Sequence, residues 1–60
     1  MMSKVFIIYL QTGDKFIFAD AYRVYDEDDC VVFYNIDGTL MEPVAHFILH
    51  TIYGWSECNA

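Results

Sequence analysis

Sixty residues carrying nine acids against three bases make one small domain of net charge −6, and 57% of its residues are hydrophobic. A chain of this size buries only about 60% of its unfolded surface, so apolar surface is left over once the core is filled, and a second copy or a partner is expected to cover it. The few bases, Lys4, Lys15 and Arg23, exclude bare nucleic acid as a ligand, because phosphates are neutralised by Lys and Arg, whereas the acidic excess suits a basic protein surface.

The opening stretch MMSKVFIIYLQTGDKF has too short an apolar run for a signal peptide and no small-residue cleavage site. No run approaches the ~20 residues of a membrane span. Cys30 and Cys58 are too few for a secreted disulfide framework. The expectation is a single β domain over 1–60, cytoplasmic, with reduced thiols and no membrane contact.

Lys4–Leu10 (KVFIIYL) is β-branched and aromatic and predicts the first strand. Thr12-Gly13-Asp14-Lys15 predicts a turn, and Phe16–Tyr25 (FIFADAYRVY) a long second strand. Asp26–Asp29 breaks the pattern, and Cys30–Ile36 (CVVFYNI) resumes it as strand three. Asp37-Gly38 is the strongest hairpin signal and reads as the central pair of a type I′ turn. From Val44 to Ile48 the chain fits a strand, followed by one tight 3₁₀-like turn and a last strand beginning at Gly54-Trp55. A helix over 43–53 is the alternative, with Pro43 at its first position and Gly54 at its end. Val, Ile, Thr, Phe, Tyr and His dominate the segment and no good N-cap precedes Pro43, which favours the strand.

The fold class expected is therefore all-β: a small SH3-like or Sm-like barrel of four to five antiparallel strands with a short 3₁₀ turn before the last. The alternative is α+β, a three-stranded sheet carrying one helix. A first hairpin paired around Gly13-Asp14 puts Phe6 opposite Ala21, and one face then holds Phe6, Ile8 and Leu10 with Ile17, Ala19 and Ala21. That is a core face. The other holds Val5, Ile7 and Tyr9 with Phe16, Phe18, Asp20 and Tyr22. It is either the far wall of the same core or an interface patch, since Tyr and Phe are enriched at protein contacts.

The acidic run Asp26-Glu27-Asp28-Asp29 lacks calcium-loop spacing: Cys30 falls where a ligand is needed and no Gly follows. Adjacent carboxylates on one loop also lack the framed separation of a catalytic pair. They read as a solvated turn and as part of an acidic rim around the aromatic patch. His46 and His50 have an H-x₃-H spacing that would place them on one face, yet no diagnostic pair of further ligands accompanies them, and packing or interface histidines are the expectation. Cys30 reads as a small core residue, Cys58 as part of a frayed tail, and Trp55 as an anchor of the last strand or a contact hot spot. No nucleophile constellation or phosphate loop is present, so no enzyme activity, cofactor or metal is expected. The residues expected to meet a partner are Tyr9, Phe16, Phe18, Asp20, Tyr22, Asp26, Glu27, Asp28, Asp29 and Trp55. A homodimer is also expected. The second function considered is an Sm-like homo-oligomer holding a small ligand, such as a nucleotide signal, at its subunit interfaces through His46, His50, Arg23 or Lys15.

The T-G turn after strand one, the acidic bend, the V-x-F-Y-x-x-D-G hairpin beginning at Val31 and the V-A-x-F-x-L-x-x-I-x-G ending beginning at Val44 span most of the chain. In this order they resemble the short acidic β-rich proteins of bacteriophages and prophages. The resemblance implies a non-enzymatic inhibitor that binds host machinery, including defence systems. His46, His50 and Trp55 depart from its ending, where charged or aliphatic residues are more usual.

Overall fold

The computed structural model describes residues 4–58. Strands β1 (Lys4–Leu10), β2 (Gly13–Ala19), β3 (Ala21–Tyr25), β4 (Cys30–Asp37), β5 (Leu40–Ile48) and β6 (Ile52–Cys58) follow one another, with a 3₁₀ turn at Leu49–Thr51 between the last two. They form two three-stranded antiparallel sheets, ordered β2-β1-β6 and β3-β4-β5. The chain is thus all-β, and the segment 43–53 is strand, turn and strand rather than helix. The two sheets do not close into a barrel, each keeping two free edges.

The long second strand is interrupted. Asp20 forms a bend between β2 and β3, where its N–H donates to the Tyr34 carbonyl at 2.8 Å and its carboxylate accepts the Ile36 N–H at 2.6 Å. One side chain therefore satisfies a backbone donor of β4 while the strand leaves one sheet for the other.

Turn positions also differ from the sequence expectation. In the first hairpin the loop is Gln11-Thr12, Leu10 pairs with Gly13, and Phe6 lies opposite Ile17 rather than Ala21. Gly13 takes φ +123 directly after the loop, a conformation that an L side chain resists, so it closes the turn instead of forming its centre. In the β4–β5 hairpin Asp37 pairs with Leu40, leaving Gly38-Thr39 as the central pair. Among the described residues only Gly38 of that pair has positive φ, which excludes the type I′ turn and fits a turn with Gly first. β5 begins at Leu40 and β6 at Ile52, each earlier than the apolar pattern suggests.

The core lies between the sheets. Phe6, Ile8 and Ala19 from β1 and β2 meet Val31 and Phe33 from β4, and Leu10, Ile17, Ala45, Phe47, Leu49, Ile52 and Trp55 pack around them. Phe33 is central, with its ring 5.0 Å from Phe6, 5.7 Å from Tyr22, 6.0 Å from Phe47 and 6.1 Å from Trp55. The body measures 33 × 29 × 13 Å, and its thin dimension leaves room for one layer of side chains between backbone layers about 10 Å apart. Such a core cannot absorb all the apolar side chains. Phe16, Phe18, Leu40, Met41, Val44 and Tyr53 all remain exposed.

Candidate functional site

The acidic turn joins β3 to β4, with Tyr25 paired to Cys30 across its base. Inside it the Asp28 N–H donates to the Tyr25 carbonyl and the Asp29 N–H to the Asp26 carbonyl, each at 3.2 Å. Asp29 adopts φ +52, a left-handed conformation that Asp tolerates better than most residues. Its carbonyl accepts the Leu49 N–H at 2.8 Å, and its carboxylate meets Nδ1 of His50. The turn is therefore tied at its last residue to the 3₁₀ turn of the other hairpin arm. Asp26, Glu27 and Asp28 are exposed, and among the described residues none of them has an ion-pair partner. Three neighbouring carboxylates on a fixed turn sum their fields towards an approaching cation. Among the described residues no group of three or more His, Cys, Asp or Glu side chains is arranged to hold a metal ion.

The residues expected to meet a partner do not form one patch. Tyr9, Phe16 and Phe18 lie on the outer face of the β2-β1-β6 sheet, where Phe16 is 63% and Phe18 68% exposed. The bend at Asp20 then reverses which side of the strand faces in. Tyr22, on the same alternation as Phe16 and Phe18, instead joins the inner aromatic cluster, 5.8 Å from Phe6 and 5.5 Å from Trp55 in near-perpendicular ring pairs. Such edge-to-face pairs are the favoured geometry for aromatic rings. Tyr22 is still 47% exposed, and half-buried Trp55 stands beside it. Asp20 is a brace of the bend rather than a projecting acid.

The remaining singled-out residues separate as well. His46 lies on β5 opposite Val32 and His50 in the 3₁₀ turn, both exposed and on different elements. Arg23 is on β3 and Lys15 on β2, so the four donors considered for a small ligand come from four separate elements. Cys30 is buried. Cys58 ends β6 paired with Val5, within the sheet rather than in a tail.

One pair was not anticipated. The hydroxyls of Tyr25 and Tyr34 are hydrogen-bonded at 2.6 Å, although their backbone positions are two rows apart in the β3–β4 register. The bond to Tyr25 holds the Tyr34 phenol above its ordinary value, helped by partial burial and by the Tyr25 charge and opposed by Arg23. Closing the acidic turn at Tyr25–Cys30 would have put both rings on one face, and that was the available signal.

No family model, characterised protein or solved structure matches the chain. Among the described residues no helix is long and apolar enough to cross a membrane.

Proposed function

We propose that the protein is a non-enzymatic binding protein that occupies a basic surface on another protein, with the Asp26-Glu27-Asp28 turn as its principal contact. The observation that carries this reading is the anchored acidic turn: its carboxylates are exposed, without ion-pair partners among the described residues, and held on a backbone tied to the 3₁₀ turn. A pre-ordered charge cluster loses little conformational freedom on binding and steers a basic partner to itself. The resemblance to phage and prophage proteins supports the narrower reading of a phage-encoded inhibitor of a host protein, such as a defence-system component. The strand order, the bent second strand and the 3₁₀ turn before β6 support an SH3-like or Sm-like plan left open along its edges.

Affinity capture from a bacterial lysate, run side by side with wild type and with Asp26→Lys/Glu27→Lys/Asp28→Lys, tests the proposal. Wild type should retain one stoichiometric basic-surfaced protein that the charge-reversed chain does not. Equal retention by both chains, or no retained protein, contradicts it.

A further inference from the structure

The outer face of the β2-β1-β6 sheet has a composition that the rest of the surface lacks. The two registers set its outward positions in three rows across β2, β1 and β6: Phe18, Val5 and Cys58; Phe16, Ile7 and Ser56; Asp14, Tyr9 and Gly54. Only Asp14, at a corner, is charged. In a chain with nine acids, the others sit on the Asp20 bend, the acidic turn, the β4–β5 hairpin and Glu57, which pairs with Lys4 at 3.6 Å. The outer side of the other sheet, by contrast, carries Arg23 and His46 beside its tyrosines.

Two of the polar groups of this face are paired with each other. Tyr9 and Ser56 hydrogen-bond at 2.8 Å across the β1–β6 pair. Each hydroxyl therefore keeps one partner when the face is covered, which lowers the penalty for drying it. Phe16 and Phe18 stand exposed beside Ile7 and Val5 in adjacent rows. The face is therefore mostly apolar and nearly free of charge, which suits close packing of one sheet on another.

We propose that this face is a self-association surface whose partner is a second copy of the chain. A face without cations offers no ion pair to an acidic partner, and Asp14 at its corner is the single carboxylate it offers to a basic one. Its complement is another neutral apolar sheet face, and this chain owns one. Two copies related by a two-fold axis present the same patch to each other. Net charge −6 on each copy opposes association everywhere else, so contact is confined to the one face where like charges do not meet. Strand and residue spacings give the nine positions a footprint of roughly 300 Å², below the ~800 Å² per partner of a standard stable interface. The dimer is therefore of the weak, reversible class, micromolar rather than nanomolar. This proposal does not depend on the acidic turn, and its salt response has the opposite sign: screening the repulsion between two acidic chains strengthens the dimer.

Sedimentation equilibrium of the chain over a concentration series, at low and high salt, reads this directly. The expected result is a monomer–dimer equilibrium that tightens as salt is added and weakens at least about tenfold in Phe16→Ser/Phe18→Ser, whose urea midpoint stays near that of wild type because both rings are exposed. Concentration-dependent amide shifts in wild type, confined to β1, β2 and β6, provide the same reading without a variant. A monomer at every concentration overturns the proposal, as do an unaffected dimer in the double variant, shifts confined to the other sheet, or a dimer that dissolves in salt. Loss of a captured protein from the double variant, with wild type monomeric, assigns the face to a different partner and overturns it equally.

Discussion

Asp20→Ala tests the bend that divides the surface. In the native chain the Asp20 carboxylate accepts the Ile36 N–H at 2.6 Å, and the Asp20 N–H reaches the Tyr34 carbonyl at 2.8 Å. Alanine keeps the second bond and removes the first, leaving the N–H of a half-buried residue without its acceptor. Hydrogen bonds to charged groups contribute about 1.5–3 kcal/mol, and partial access to water puts this one near the lower end, about 1.5–2 kcal/mol. A domain of this length has only about 3–9 kcal/mol of stability in total, so the loss is a large share of it. With a urea slope of about 1 kcal/mol/M for a small chain, the unfolding midpoint should fall by about 1.5–2 M. Asp20→Asn retains an oxygen acceptor without the charge and should lose about half as much. An Asp20→Ala midpoint equal to wild type, combined with lost partner binding, would refute the brace and return Asp20 to the contact surface.

Three further outcomes follow from the same geometry. Phe33→Ala removes the ring on which four others converge and should cost about 3–5 kcal/mol, a large share of the total, read as a fall in the urea midpoint or as unfolding, whereas a midpoint close to that of wild type would show that the sheets hold without this core. Gly54→Ala places a side chain at φ +150 in the β6 irregularity opposite Tyr9, where space is open but the backbone is unsuitable; the urea midpoint should report a loss of about 1–3 kcal/mol, and an unchanged midpoint would contradict the strain. In a phenolate absorbance titration, Tyr34 should ionise above the ordinary tyrosine value of about 10 because it is bonded to Tyr25, and Tyr25→Phe should bring it back. The folded state holds that proton more tightly than the unfolded chain, so the pair's contribution to stability is complete below about pH 10 and is lost as pH rises through the folded value; coincident titration of all tyrosines in the folded protein would contradict it.

Strand content is legible where the strands hold runs of β-branched and aromatic residues, as in β1, β3 and β4, and the segment after Pro43 resolves as strand for the same reason. The starts of β2 (Gly13-Asp14-Lys15) and β5 (Leu40-Met41-Glu42-Pro43) lack such a run. The first-hairpin register was misplaced because Gly13 reads equally well as the middle of a turn or as the residue that closes it. The error moves the partner of Phe6 from Ala21 to Ile17, four positions, and an even slip leaves every side chain on its own face. Phe6, Ile8 and Ala19 are accordingly buried as expected. The bend at Asp20 was illegible in outline because strand alternation runs through FIFADAYRVY without a break. The exchange of inside and outside shows only in the tertiary contacts: Phe16 and Phe18 are exposed, whereas Tyr22 meets Phe6, Phe33 and Trp55. The composite aromatic and acidic patch therefore divides into an outer sheet face, a structural brace, an inner aromatic pair and an anchored turn.

The measurement that bears most directly on the proposed function is the association rate between the chain and the protein it captures, followed across ionic strength for wild type and for Asp26→Lys/Glu27→Lys/Asp28→Lys. The wild-type rate should fall steeply as salt is added, and the variant should be about tenfold slower or more at low salt with little salt response. Equal rates for both chains, unchanged by salt, would contradict it.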